Sequence, residues 1–238
     1  MNEKTLKKLE YDKIMDILSK ECSSSLGKEL VEQLTPSRDL GVVAARQKET
    51  TEAREVLMMQ PNFSLGGIRN VKDAVALAQK NGVLDGSRLL EILSTSKAGK
   101  RVKLNLSQIK EDFPILKGLA GRINFINSLE TAIEDAIGDD GSILDTASME
   151  LGSIRRQIRV ANDRIKDKLE GLIRNPNQNK YLQDPIITIR NERYVVPVRQ
   201  EYRNQVPGLI HDQSASGATL FIEPMSVLDL NNDLKRLH

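Results

Sequence analysis

At 238 residues and 39% hydrophobic content, the chain is long enough for one large domain or two ordinary ones with buried cores. Its single cysteine, Cys22, rules out an internal disulfide and fits a reducing cytoplasm, and the charged amino terminus is not the pattern of a secretory leader. No window reaches the ~20 apolar residues that span a bilayer, and 3% aromatic content without Trp argues against an aromatic platform as the main device for binding single strands.

From Asp12 to about Ile137, apolar residues recur at three- and four-residue spacing between polar, Gly or Pro breaks. Ile14, Ile17 and Leu18 predict one helical face; Leu26, Leu30 and Leu34 predict the next, closed by Pro36. A longer helix is expected from Leu40 to near Pro61, and another around Val71, Ala74, Val75 and Ala78, with Gly82 as its carboxyl cap. Leu89, Leu90 and Leu93 open a further helix, Phe113-Pro114 marks a break, and Ile126, Leu129, Ile133 and Ile137 carry the last of the group. The expectation is a helical bundle or layered array. Carboxylates at Glu130, Glu134, Asp135, Asp139 and Asp140 read as a solvated helix face and turn rather than a nuclease metal site.

After the Asp139-Asp140-Gly141 turn, Leu144, Ala147, Leu151, Ile154, Ile158, Ala161 and Ile165 form a heptad seam that Leu169 and Leu172 continue after a slip of one position. The seam predicts a helix of roughly 30 residues, on the order of 45 Å long, ending near Asn175-Pro176. Four short strands follow. Ile187–Arg190 and Arg193–Arg199 alternate around an Asn191-Glu192 turn, and 208–211 and 219–222 flank the reversal Ser214-Ala215-Ser216-Gly217. Pro197 lacks an amide proton, which predicts an edge or bulged position. Ser226 with Asp229 resembles a capping box, and Leu230, Leu234 and Leu237 begin a helical stripe expected to pack on the outgoing seam. The fold class is therefore mainly α: a helical array, a long heptad helix and a small four-stranded antiparallel sheet, followed by the start of a returning helix.

The net charge of +2 is unevenly placed, because residues 154–203 hold twelve Lys or Arg against six Asp or Glu, leaving −4 elsewhere. A basic region of this kind suits a phosphate backbone. Lys180, Arg190, Arg193, Arg199 and Arg203 are the expected contacts, since guanidinium forks donate two hydrogen bonds to one phosphate. Strand alternation places Arg193 and Arg199 on one face, opposite Tyr194, Val196 and Val198, and that face is expected to point outward. His211, Ser214 and Ser216 complete the predicted surface as donors in and beside a turn. With Asp212 they also contain the ingredients of a hydrolase, but such triads are normally assembled from separated segments, so the turn reading is preferred. Arg155, Arg156 and Arg159 crowd one side of the long helix.

Three runs resemble the second bacterial subfamily of MutS-like proteins: Tyr181-Leu182-Gln183-Asp184-Pro185, the segment from Ile189 to Val198, and the segment from His211 to Pro224. The likeness extends to Leu9–Ile14, Phe63–Ile68 and Asp140-Gly141 with Leu144-Asp145, so it covers essentially the whole chain. The resemblance implies a helical core or lever domain over 1–138, an arm helix over 139–180, a β clamp over 181–224 and the start of a returning arm over 225–238. It implies that the rest of the lever, a dimerising ATPase domain and usually a small MutS-related nuclease domain lie outside these residues. ATP and Mg are expected in that absent ATPase domain and no cofactor in this segment. Gly27-Lys28 and Gly99-Lys100 lack both the earlier Gly and the hydroxyl residue of a phosphate-binding loop, so no catalytic activity is expected of the segment itself.

The implied partners are branched or duplex DNA, or a stalled ribosome and its rRNA, with no membrane. The whole protein is expected to be a cytoplasmic homodimer, whereas the segment by itself can be monomeric. The alternative is a mainly structural strut that transmits ATPase motion while other domains bind. Phe221-Ile222-Glu223 has the form of a mismatch wedge, but its place in the last strand makes Phe221 a core residue and Glu223 a turn residue by expectation.

Overall fold

The structure, a computed structural model, describes residues 3–238. It is mainly α with one four-stranded antiparallel sheet, as the patterns predict, and it divides into two compact units, one ending at Leu144 and one spanning Asp145–His238.

The first unit contains α1 (Glu3–Lys8), α2 (Tyr11–Glu21), α3 (Ser25–Glu32), α4 (Leu40–Met59), α5 (Lys72–Gln79), α6 (Gly86–Gln108), α7 (Pro114–Gly121) and α8 (Asn127–Ala136). Helix starts coincide with side chains that accept from otherwise free amides: Ser24 caps α3, Asp39 caps α4 and Asp85 caps α6. Phe113-Pro114 opens α7 with Pro at its first position, where a missing amide proton costs nothing. Val56, Val102, Leu106, Ile109, Phe113 and Ala120 form one buried cluster, and Leu93, Ile133 and Ile137 another.

The stripe predicted at Ile14, Ile17 and Leu18 is not buried: α2 packs on α1 and α3, both too short to cover it, and Ile17 stays 62% exposed. The carboxylate group is not uniformly solvated either. Glu130 is buried and accepts from Ser96 Oγ at 2.6 Å, and Glu134 pairs with Lys97. The Asp139–Gly141 turn is bonded back into this unit, with Gly138 N donating to Ser142 O and Leu144 N to Ala136 O, both at 2.8 Å.

The second unit runs through α9 (Met149–Arg174), α10 (Pro176–Asn179), β1 (Thr188–Arg190), β2 (Arg193–Arg199), β3 (Gly208–Gln213), β4 (Thr219–Pro224) and α11 (Leu228–Leu237). Helix α9 is 26 residues long, about 39 Å at 1.5 Å per residue, and is shorter than the seam suggests. Ser148 caps it by accepting from Leu151 N, so Leu144 and Ala147 precede the helix. Arg155 and Arg159 are tied down rather than free, because both clasp Asp145, at 2.9 and 3.1 Å, and hold its carboxyl below the usual carboxylate range.

Ala161, Ile165 and Leu169 of α9 pack with Val196, Val198, Leu220 and Ile222 of the sheet and with Leu234 of α11, so one face of the sheet is buried on the helix pair. Leu230 packs against the same cluster, and Leu237 lines an open groove with Val160 and Ala161. The capping box at Ser226 and Asp229 does not form: a short 3-10 turn over Met225–Val227 leads into α11, whose start has no side-chain cap.

The strand order is β1-β2-β4-β3. Asn191 (φ 49°) and Glu192 (φ 63°) are both left-handed, the geometry of a two-residue hairpin turn whose twist matches the flanking strands. Pro197 is not on an edge strand, since it pairs with Phe221 inside the sheet. The ladder tolerates it because its carbonyl, which accepts from Gln183 N at 2.9 Å, faces away from β4, and its nitrogen lies on that same flank. There β1 has already ended opposite Val195, and a single Leu182–Val198 bridge takes its place.

Candidate nucleic-acid interface

Strand β2 carries Arg193 at its start and Arg199 at its end, about 20 Å apart at ~3.3 Å per residue. The predicted surface therefore divides between two ends of the sheet, and the two ends differ in chemistry.

At the first end lies Glu223, fully buried in β4 instead of in a turn. Arg193 Nη1 donates to its two oxygens at 2.9 and 3.2 Å, and Asn231 Nδ2 to Oε1 at 2.8 Å. His211 Nε2 lies 2.6 Å from Oε2. A β-bulge directs the histidine there. Ile210 pairs with Ile222 and Asp212 with Phe221, which leaves His211 as the extra residue between them.

The network continues into the helices: Arg193 Nη2 donates to Asn232 Oδ1 at 2.7 Å, Asn231 exchanges hydrogen bonds with the Tyr194 backbone, and Tyr194 OH donates to Asn162 Oδ1 of α9 at 2.9 Å. Arg193 thus turns inward, contrary to the outward face predicted for it, because a buried carboxylate needs a compensating cation more than the surface needs a free one. Arg190 is also engaged. Its Nε pairs with Asp212 at 3.1 Å and its guanidinium covers the Phe221 ring at 4.2 Å, so Phe221 is a stacking partner instead of a core residue. With His211 on Glu223 and Asp212 on Arg190, no hydrolytic triad assembles with Ser214.

At the other end, Arg199 pairs with Thr219, and its amide donates to Tyr181 O at 3.1 Å. Gln200 N donates to Ala218 O at 3.0 Å, which fixes the Ser214–Gly217 reversal beside the end of β2. Ser214 Oγ accepts from Thr219 N at 3.1 Å and lies 3.4 Å from Ser216 Oγ, so the two hydroxyls share one hydrogen bond and one hydroxyl proton is left for another acceptor. Lys180 follows directly on α10 and precedes Tyr181, and Arg203 lies in the 3-10 segment Gln200–Gln205 that follows Arg199. The ion pairs of the sheet are Arg190–Asp212, Arg193–Glu223 and His211–Glu223. Among the described residues, Lys180, Arg199 and Arg203 take part in none.

The structure places Arg199, the Ser214–Gly217 turn and, through Tyr181, Lys180 at one end of the sheet, with Arg203 on the segment that leads away from it, and separates them from Arg190, Arg193 and His211. Sequence reasoning missed Glu223 and Asn231 as buried polar residues. It also missed the ring pair Tyr181–Tyr202, whose centroids are 5.3 Å apart. The bulge that aims His211 has no sequence signal, and Glu223 next to Pro224 reads as a turn.

A mainly α chain with one small four-stranded antiparallel sheet near its carboxyl-terminal end has the fold class expected from the MutS-like resemblance. No family model matches the chain. It is 45% identical over 239 residues to endonuclease MutS2 of Alkaliphilus oremlandii, covering 100% of this chain and 30% of that protein. It is 44% identical over 237 residues to endonuclease MutS2 of Symbiobacterium thermophilum, with the same shares, and 45% identical over 238 residues to that of Geobacillus sp. strain WCH70, covering 99% of this chain and 30% of the relative. The chain belongs to this second MutS subfamily and corresponds to its amino-terminal region. It spans about 30% of the length of the curated relatives it matches.

Proposed function

We propose that this segment is the lever and clamp of a homodimeric, cytoplasmic MutS-like ATPase, gripping nucleic acid through phosphate contacts and shape rather than base sequence. The observation that carries this reading is that Lys180, Arg199 and Arg203 lie on backbone at or next to the Ser214–Gly217 end of the sheet and, among the described residues, take part in no ion pair. A guanidinium or ammonium without an internal partner displaces counterions condensed on the nucleic acid, and their release gives affinity at low salt. Branched DNA and ribosomal RNA both present such phosphates. ATP and Mg would act in the part of the relatives' length that lies outside these residues. The relatives' name, endonuclease, attaches activity to those whole proteins.

The test is fluorescence anisotropy of the chain and of a Lys180→Glu/Arg199→Glu/Arg203→Glu variant against a four-way DNA junction and an rRNA fragment, at two salt concentrations. The expected result is binding that falls steeply with salt and is lost in the variant. The ratio of the two affinities then identifies the preferred target.

A strut reading has one observation in its favour. The buried Glu223 network fastens the sheet to both helices, as a part that transmits force requires. Weak, salt-insensitive binding by the wild-type chain would support the strut and refute the clamp.

A further inference from the structure

The cationic end of the sheet holds more than point charges. Two of the chain's four tyrosines meet there, with Tyr181 and Tyr202 at a centroid separation of 5.3 Å and an interplanar angle of 52°. Lys180 Nζ lies 5.0 Å from the centroid of the Tyr181 ring. The 3-10 segment that carries Tyr202 is broken at that residue (φ −104°, ψ 15°). The amide of Arg199 donates to the carbonyl of Tyr181, so ring and cation are fixed to one piece of backbone. Both rings pack one side against the core of the unit, yet both remain partly exposed. Rings with one cation on them and two more, Arg199 and Arg203, carried by the adjoining backbone suit a base together with its phosphates better than they suit a duplex, whose bases are already stacked on one another.

We infer that Tyr181 and Tyr202, with Lys180, Arg199 and Arg203 around them, form a stacking site for an unpaired nucleotide. The inference rests on the clamp reading and adds a substrate class to it: nucleic acid with an unpaired base, such as the arm of a branch point or a single-stranded stretch of RNA. A base stacks on the exposed part of the tyrosine pair, and Lys180 moves from the ring to the adjoining phosphate. Arg199 and Arg203 hold the phosphates on either side. Low aromatic content limits such a site to one or two bases, so it supplements phosphate contacts and does not replace them.

The experiment uses the full chain with three probes: a dT12 oligomer, a rU12 oligomer and a 12-base-pair duplex. Tyr202→Leu removes the ring and Tyr202→Phe keeps it. The expected result is that Tyr202→Leu weakens single-strand binding by about tenfold, within the range for loss of one base–aromatic stack. Duplex affinity should change less than twofold, and Tyr202→Phe should behave as wild type. The dT12 and rU12 arms decide between DNA and RNA as the source of the base.

Because Tyr202→Leu also loosens core packing, a second measurement leaves the wild-type chain unaltered. A single-stranded oligomer carrying 5-iodouracil is photo-crosslinked and the adduct mapped by mass spectrometry, with Tyr181 or Tyr202 as the expected sites. Adducts confined to other residues overturn the inference, as does equal loss of single-strand and duplex binding in Tyr202→Leu. Salt-sensitive duplex binding with either of those results would leave the clamp reading standing and remove the stacking site alone. Failure of all three probes to bind would remove both.

Discussion

Replacing Glu223 with Gln tests whether the buried network holds the sheet to its helices. The carboxylate is fully buried and takes hydrogen bonds from Arg193 and Asn231, while His211 lies 2.6 Å from its second oxygen. The Arg193 side chain is only 16% exposed. An amide of the same shape keeps one acceptor oxygen but replaces the other with an NH2 group, and it leaves the guanidinium without its counter-charge. Breaking a buried ion pair from one side costs about 3–5 kcal/mol, and we take about 3 because Asn232 still accepts from Arg193. For a unit of this size each 1 kcal/mol lowers the melting temperature by roughly 4–8 °C, so the unfolding transition of the second unit should fall by at least roughly 12 °C. Circular dichroism melts of wild type and Glu223→Gln measure this directly. Glu223→Leu combined with Arg193→Met should be less destabilised than Glu223→Leu alone, because removing both charges avoids the uncompensated one. A drop below about 3 °C for Glu223→Gln would show that the network is incidental, and the reasoning would fail.

Three further outcomes are expected. Glu192 sits at φ 63°, where a side chain costs about 1 kcal/mol; Glu192→Gly should therefore raise the melting temperature by several degrees, and a decrease would refute the turn assignment. Gly208 lies against β4 so closely that a Cβ would come 2.1 Å from Glu223 O, so Gly208→Ala should destabilise by about 1–3 kcal/mol in a denaturant titration, with an unchanged midpoint as the contrary result. Asp145 is held below the usual carboxylate range by Arg155 and Arg159. Its contribution to stability is complete above the unfolded value of about 3.9 and is lost as pH falls through the lower folded value. Carbon-13 titration of Asp145 should give a midpoint below 3.8, returning towards that value in Arg155→Gln.

The helices and strands were legible because each rests on local chemistry. The three- and four-residue apolar spacing marks most of the helices, and the alternation around Asn191-Glu192 gives both strands and the turn of the first hairpin, whereas the caps at Asp85 and Ser148, which set where α6 and α9 begin, went unread. What could not be read depends on contacts between distant residues. The exposure of Ile14 and Ile17 follows from how little α1 and α3 can cover, which no periodicity reports. Pro197 is expected at an edge or a bulge because a sequence shows the missing amide proton but not which flank it faces. The candidate residues were chosen by type and were not sorted by role. Arg193 and Arg199 have the same parity on one strand, and only the position of Glu223 at one end distinguishes a latch from a free cation.

That difference between the ends bears on how a clamp of this kind could work. At one end the charges neutralise one another and join β2, β3 and β4 to α9 and α11, so this end contributes rigidity and cannot release a cation to a ligand without breaking a buried pair. At the other end, Lys180, Arg199 and Arg203 take part in no ion pair among the described residues, so the phosphate contacts proposed for them would break none. A charge-reversal set that included Arg190 and Arg193 would therefore confuse unfolding with loss of binding, whereas one confined to Lys180, Arg199 and Arg203 tests the proposed interface alone. If the restricted variant keeps the wild-type melting temperature and loses nucleic acid, the strut and the grip are separate functions of one small sheet. If it melts early, the two ends are coupled, and the sheet is a single structural element whose cations serve stability first.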